Sequence, residues 1–145
     1  MKRLNYSLFF KQLLIFFDQS CTAILKNASE NKINIIAKEI FSNGRLTNAN
    51  KKFHQNELIE LVTIAKSVNL NLEELSYLWV YQLPFIKICL TGASTITQLD
   101  TNLKCIKKKD VEIPSLESFA LSTEDYWSTR KIIKLELTKN FPARV

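Results

Sequence analysis

Three short apolar runs alternate with segments of helical periodicity along this chain, and that alternation limits the folds it can adopt. The runs span residues 8–17, 33–37 and 85–90 and contain β-branched or aromatic residues. Such runs are typical of buried strands. For residues 8–17, periodicity alone does not separate a buried strand from the start of a buried helix. Strands that alternate with helices predict a parallel sheet and therefore an α/β fold.

Helices are predicted between and after these runs, each opened by a polar residue that makes a good N-cap. One amphipathic helix covers residues 57–68, and another is expected to be largely buried and to end before Pro84. The helix that starts after Thr95 is expected to face the core with Ile96, Leu99, Leu103 and Ile106. The spacings Asn71 to Glu74 and Thr95 to Gln98 are those of capping boxes. The candidate caps are Asp18 or Ser20, Asn56, Asn71, Thr95, and, for a last helix, Ser122 or Thr123.

The net charge of +6 raises the question of an anionic partner. The basic residues are spread along the whole chain, and only Lys107, Lys108 and Lys109 form a run. Short charge runs of this kind are usually solvated boundaries between elements. A small basic protein that contacts nucleic acid or an acidic partner is therefore the alternative function, and a nucleic acid is not the partner we expect.

Cysteine and histidine usage restricts the chemistry available to the chain. Cys21, Cys89 and Cys105 are an odd number at long spacings, which fits neither a disulfide framework nor a metal-binding pair. A reduced, cytoplasmic protein without a metal site is expected. His54 is the only histidine and stands in a polar stretch typical of a surface loop. The chain has no run of 18 apolar residues, so the sequence does not predict a membrane span.

Residues 90–102 are the segment most suggestive of ligand binding. A strand-like run ends here at Gly92, which with Gly44 is one of only two glycines, and small residues then lead into a helix. Backbone amides and the positive end of a helix dipole bind phosphate at such a place. In parallel sheets and barrels the corresponding strand ends face the ligand. An ordinary tight turn with a capping box would explain the same residues equally well.

The segment Gly92, Ala93, Ser94, followed by Gln98, Leu99 and Asn102, resembles the adenosine-phosphate-binding strand-to-helix segment of the aldo/keto reductase family. Residues 35–47, with Gly44, Leu46 and Thr47 in register, are similar to that family's seventh strand and the loop after it. The similarity runs from about residue 14 to 130, in the right order and with compatible spacings. It also includes Phe17, Asp18 and Gln19 upstream, and Tyr126, Trp127 and Arg130 in the tail.

The resemblance implies a partial (β/α)8 TIM barrel, with residues 1–145 as a single domain that holds about the last three β/α units and a C-terminal helical tail. It implies an oxidoreductase related to NAD(P)H-dependent carbonyl reduction. The family's catalytic tyrosine, lysine, aspartate and histidine belong to the first four strands, which have no counterpart here, so no catalytic residue is assigned. The chain is expected to be inactive alone, or active only with another chain that supplies those strands.

The resemblance also implies a set of cofactor contacts. Lys38 and Glu39 lie at the strand end that faces the nicotinamide. Gly92 and Ser94 approach the adenosine phosphate and Gln98 contacts it through its side chain. Thr101 and Asn102 lie near the adenine.

Several residues depart from the family's pattern. Gly92 and Gln98 stand where many NADP-preferring members have lysine and arginine, so the implied cofactor is NADP with NAD possible. Thr101 replaces a glutamate, and Lys38 replaces an aromatic residue that stacks on the nicotinamide. Lys32 and Asn34 occupy positions that are usually glycine.

Overall fold

A parallel sheet of three strands, flanked by four helices, makes up the described part of the protein. The computed structural model describes residues 8–10, 19–42, 44–47, 58–122, 124–125 and 128. The strands are β1 (Leu8–Phe10), β2 (Asn34–Ala37) and β3 (Ile86–Cys89). The helices are α1 (Thr22–Glu30), α2 (Ile59–Ser67), α3 (Leu72–Tyr81) and α4 (Ile96–Ile106), and a 3₁₀ turn follows at Glu117–Phe119.

The strands are adjacent in the order β1-β2-β3, and both pairs are parallel. Leu8 pairs with Asn34, and Ala37 pairs with Cys89 at the other side of β2. The sequence prediction of alternating strands and helices with a parallel sheet is thereby confirmed. β2 is the central strand, and its successive residues Ile35, Ile36 and Ala37, which point alternately to the two faces of the sheet, are all buried. This burial on both faces is what a parallel sheet covered by helices requires.

The core lies between the sheet and α2 and α3. Leu61, Leu75, Leu78 and Val80 are fully buried there. α3 buries residues around most of its circumference, which confirms the sequence prediction for this helix. One polar side chain in this core, Ser76, donates a 2.6 Å hydrogen bond from Oγ to the Ile40 carbonyl. That bond ties the loop after β2 to the middle of α3.

Two helix starts differ from the sequence prediction. α1 begins after Cys21, whose side chain makes no capping hydrogen bond, so Ser20 is not the N-cap. A turn in which the Thr22 amide and hydroxyl both donate to the Gln19 carbonyl precedes it. α2 begins after Leu58, also without a side-chain cap. The predicted cap Asn56, together with Asp18, Glu57 and residues 11–17, lies outside the described residues.

Hydrogen bonds confirm the predicted N-caps Asn71, Thr95 and Ser122. Asn71 with Glu74, and Thr95 with Gln98, form the two predicted capping boxes. The Ser122 hydroxyl accepts a 3.0 Å bond from the Asp125 amide, as an N-cap does. Thr123 and most of the predicted last helix, including Tyr126, Trp127 and Arg130, lie outside the described residues.

The face that α4 turns to the core was predicted wrongly. Ile96, Leu99 and Leu103 are 87%, 50% and 55% exposed, and the buried residues of the helix are Asn102 and Cys105. Only Ile106 of the predicted stripe packs against the core. This happens because β3 is the edge strand of the described sheet. One side of α4 packs on α3, and no described element lies beyond β3 to cover the apolar side of α4.

α1 and α2 both end in a residue with left-handed backbone geometry. The Ile33 amide donates to the Ala28 carbonyl and the Lys32 amide to the Ser29 carbonyl, which is the Schellman pattern. Lys32 has φ +62° in this motif, and Asn69 has φ +56° in the equivalent motif after α2. A side chain in this conformation costs about 1–2 kcal/mol relative to glycine, less for asparagine.

We therefore expect Lys32→Gly to raise the free energy of unfolding by about 0.5–1 kcal/mol, the strain relief minus the entropy that glycine adds to the unfolded chain. Urea unfolding of the variant measures the change. Asn69→Gly is the matched control and should raise the free energy less, because asparagine tolerates the conformation better. A destabilising Lys32→Gly would contradict the strain argument.

Candidate functional site

The turn between β3 and α4 is set by glycine backbone geometry. Gly92 has φ +67°, a value that side chains other than glycine rarely adopt. A Cβ added to Gly92 would meet no atom within 4 Å, so the requirement for glycine lies in the backbone and not in the space around it. The turn delivers residues 93–95 to the N-terminus of α4.

Gln98 occupies part of that N-terminus. Its Oε1 accepts hydrogen bonds from the Ser94 amide at 2.8 Å, the Ser94 hydroxyl at 3.1 Å and the Thr95 amide at 3.2 Å. From the sequence, the backbone amides at this helix start were expected to be unpaired and available to a phosphate. The amides of Ser94 and Thr95 are not, because they already donate to the Gln98 carboxamide oxygen. The amides of Gly92, Ala93, Ile96 and Thr97 donate to no acceptor among the described residues and remain for a ligand.

The loop after β2 forms the facing wall. Ser42 and Gly44 have φ values of +50° and +83°, so the chain reverses sharply there. The Leu46 amide donates to the Phe41 carbonyl, and the Thr47 hydroxyl donates to the Gly44 carbonyl at 2.8 Å. Leu46 is fully buried and anchors the loop in the core.

A cleft of about 180 Å³ lies between these two segments and the start of α3. It sits beyond the carboxyl ends of β2 and β3, which is where ligands bind to parallel α/β sheets. Its wall combines threonine hydroxyls, two carboxamides, one carboxylate and exposed backbone. The lining residues are Phe41, Gly44, Thr47, Glu73, Thr91, Gly92, Ala93, Gln98 and Asn102.

Asn102 is the buried polar group of this cleft. Its side chain is 6% exposed and makes no hydrogen bond to any described residue. Buried polar groups normally have a hydrogen-bond partner, so a carboxamide turned inward at a cleft is a candidate for ligand contact. It presents a donor and an acceptor side by side, the pattern that pairs with the N6 and N7 edge of adenine.

The aldo/keto reductase family model matches residues 3–120, which include the sheet, the cleft and all four helices. The chain belongs to the aldo/keto reductase family. This confirms the resemblance drawn from the two glycine-containing segments. No curated protein sequence gives a match to this aldo/keto reductase chain.

The structure brings some of the predicted cofactor residues together and leaves others apart. Gly92, Gln98 and Asn102 line the cleft, and Ser94 is joined to Gln98 by two hydrogen bonds. Thr101 is exposed, and its hydroxyl donates to the Thr97 carbonyl outside the cleft lining. Lys38 and Glu39 follow β2 directly and are half-buried, but they do not line the cleft.

Glu73 was missed by the sequence reasoning. It occupies the first turn of α3, a helix interpreted from sequence only as a core element. The capping box at Asn71 marks where this helix begins but does not indicate which neighbour its first turn approaches. Only the packing of α3 against α4 brings Glu73 beside Asn102. Phe41, Thr47, Thr91 and Ala93 lie in the segments that carry the family resemblance but were assigned no role.

The half-buried Cys89 and the buried Cys105 are unsuited to nucleophilic chemistry. Burial raises the pKa of the Cys89 thiol to about 11. Burial, helped by the Glu74 carboxylate and opposed by Lys108, raises the pKa of Cys105 to about 12. Both thiols are therefore neutral at physiological pH, whereas reactive cysteines need a lowered pKa.

The described residues also bear on three other possibilities raised by the sequence: a basic contact surface, a metal site and a membrane span. Lys108 of the basic run is paired with Glu74, and Lys104, one turn before it on α4, is paired with Asp100, both at 2.6 Å. No three His, Cys, Asp or Glu side chains of the described ranges group in a way that would hold a metal ion. Within the same ranges no helix has the length and hydropathy to span a bilayer. His54 lies outside them.

Proposed function

We propose that this aldo/keto reductase chain binds the adenosine end of a nicotinamide dinucleotide in the cleft between β2, β3 and the N-termini of α3 and α4. The observation that carries the proposal is the buried carboxamide of Asn102, which bonds to no described residue, in a cleft where the Gly92 and Ala93 amides also bond to none of the described residues. The cleft volume of about 180 Å³ suits one ring or one phosphate of a dinucleotide. A whole ligand usually takes roughly 300–1,000 Å³.

The finer expectations from the family resemblance form part of the proposal. Residues 1–145 are one domain, equivalent to the last three β/α units of a (β/α)8 barrel. Lys38 and Glu39 face the nicotinamide, and Thr101 lies near the adenine. Of the two cofactors, the resemblance favours NADP, with NAD possible. Cys21, Cys89 and Cys105 form no disulfide bond, which supports a reducing, cytoplasmic location.

We propose that carbonyl reduction needs strands beyond those described, supplied by another chain. The uncovered apolar side of β3 and α4 supports this: Ile88 and Leu90 are nearly half exposed, next to a helix with Ile96, Leu99 and Leu103 exposed. Large exposed apolar patches mark interaction sites, and an unpaired strand edge invites another strand. Alone, the chain binds the dinucleotide without reducing a carbonyl compound.

The Asn102→Leu variant tests whether the Asn102 side chain serves dinucleotide binding or the stability of the fold. Leucine fills a similar volume and removes a buried carboxamide that bonds to no described residue, so the free energy of unfolding should stay equal or rise. Dinucleotide affinity should fall about 10-fold, the loss expected when a buried hydrogen-bonding group is removed from a polar ligand. Titration with the reduced dinucleotide, followed by its own fluorescence, measures the affinity, and urea unfolding measures the stability.

Asn27→Leu is the matched control, because Asn27 is an exposed helical asparagine on α1, outside the cleft lining. It should leave the affinity unchanged. A wild-type chain that binds neither NADH nor NADPH at millimolar concentration would overturn the proposed function. A destabilised Asn102→Leu variant with unchanged affinity would make Asn102 a structural residue.

A further inference from the structure

We propose that Ser76 is a positioning residue for the cleft, because its hydroxyl holds the loop after β2 in the shape that forms one wall. Ser76 is fully buried on α3 and does not line the cleft, so it acts through the Ile40 carbonyl and touches no ligand itself. The inference rests on the proposed function, since its effect is measured as dinucleotide affinity.

The Ser76 hydroxyl bonds outside its own helix. Hydroxyls inside helices usually donate to a carbonyl one turn earlier. Thr63, Ser67 and Thr101 do so, at 2.8, 2.8 and 2.9 Å, to carbonyls three or four positions before them in α2 and α4. Ser76 instead donates at 2.6 Å to the carbonyl of Ile40, 36 positions earlier in the chain. Its donor is therefore committed to the loop and not to α3.

The surroundings of Ser76 give no other reason for a serine. Its neighbours Leu75, Tyr77 and Leu78 are all buried, so this part of α3 is otherwise an apolar core. A buried hydroxyl is costly unless it forms a hydrogen bond. Alanine would form the helix better and would bury no polar group. The bond to the loop is what makes serine favourable at this position.

The loop needs a donor at Ile40. The Ile40 carbonyl accepts from no backbone amide of the described residues, and its residue is 2% exposed. Regular pairing is lost here because three residues of the segment have positive φ values: Glu39, Ser42 and Gly44. The next residue, Phe41, is the first of the loop to line the cleft. The Ser76 bond therefore fixes the wall at the point where it begins.

The opposite wall is held by the same part of α3. The Glu74 carbonyl accepts from the Cys105 thiol at 3.7 Å, and the Glu74 carboxylate pairs with Lys108 at 2.6 Å. Both partners belong to α4 or its C-terminal end, and Glu74 is two positions from Ser76. Two adjacent turns of α3 thus join the loop after β2 to α4, and the Ser76 bond fixes the distance between the two walls.

The test compares Ser76→Ala and Ser76→Thr in the full chain, titrated with NADH or NADPH, whichever the wild type binds more tightly. Ser76→Ala should weaken binding about 10-fold, the scale of one buried hydrogen bond. The Leu46 amide, which donates to the Phe41 carbonyl in the loop, should exchange with deuterated water about 10-fold faster, because the loop opens more often. Ser76→Thr keeps the hydroxyl and should bind within about 2-fold of the wild type, although its extra methyl group lowers the urea midpoint.

Ala28→Gly is the matched control for lost stability. Ala28 lies on α1, packs against the core and does not line the cleft. Glycine should lower the urea midpoint but leave both the affinity and the exchange of the Leu46 amide unchanged.

A Ser76→Ala variant that behaves like this control would overturn the inference while cofactor binding stands. So would a Ser76→Thr variant that loses as much affinity as Ser76→Ala, because the hydroxyl would then not be the group that matters. A wild-type chain that binds neither dinucleotide would overturn the proposed function, and the inference with it.

Discussion

Replacing Leu46 with alanine is expected to lower the free energy of unfolding by about 2–5 kcal/mol, the range for a leucine removed from a rigid core. Leu46 is fully buried, although it belongs to a loop and not to a helix or strand. It lies between Gly44 and Thr47, two residues of the cleft wall. The same change should therefore loosen the wall and weaken dinucleotide binding as well. Urea unfolding measures the first effect and fluorescence titration the second.

Leu99→Ala is the control for that prediction. The chemical change is identical, but Leu99 is 50% exposed on α4, and alanine is the better helix former there. Its cost should stay below about 1 kcal/mol. Equal costs at the two positions would mean that Leu99 is covered in solution, which would itself point to a partner on the apolar side of α4.

The order of elements could be predicted from sequence because local patterns determine it. The runs at 33–37 and 85–90 each became a parallel strand, and both capping boxes formed as their spacing indicated. Each of these features depends on residues within a few positions of one another. Gly44 and Gly92, the two glycines of the chain, both have left-handed backbone geometry, which explains why glycine stands at these two positions.

The orientation of α4 could not be predicted, because a periodic apolar stripe shows that a face is apolar without showing what covers it. Ile96, Leu99 and Leu103 form such a stripe and are exposed, while the polar Asn102 is buried. An apolar stripe turned outward and a polar residue turned inward both reverse the usual rule. Departures of this kind are expected at functional sites, where local preference yields to binding. The cleft and the uncovered side of α4 are the two such places in the described structure.

The approach of Glu73 to the cleft also depends on tertiary packing. Its neighbours Asn102 and Gln98 are about 25 to 29 positions away in sequence, so no local spacing links them. The family resemblance located the glycine turn and Asn102 but assigned nothing to α3. Charge at the rim of the cleft therefore became visible only once α3 and α4 were packed together.

Raising the pH from 8 to 11 is expected to remove several kcal/mol of stability, because the half-buried Cys89 and the buried Cys105 and Tyr77 stay neutral in the folded protein. Burial raises the pKa of Cys89 to about 11, and burial raises the pKa of both Cys105 and Tyr77 to about 12. In the unfolded chain the corresponding pKa values are about 8.5 for cysteine and 10 for tyrosine. Between those values the folded state binds more protons than the unfolded state, so stability is full below about pH 8 and falls as the pH rises.

Urea unfolding at pH 7.5, 9, 10 and 11 measures this loss, and Cys105→Ala identifies its source. Cys105 is 2% exposed, so its removal leaves a small cavity whose cost is the same at every pH. The variant should be less stable than the wild type at pH 7.5, and its stability should fall less steeply toward pH 11. The proton linkage of the other two groups remains in the variant, so part of the slope should persist. If the stability of the wild type stays constant up to pH 11, these thiols and the Tyr77 hydroxyl reach water in the folded protein. The packing of α3 between β3 and α4 would then be looser than the structure shows.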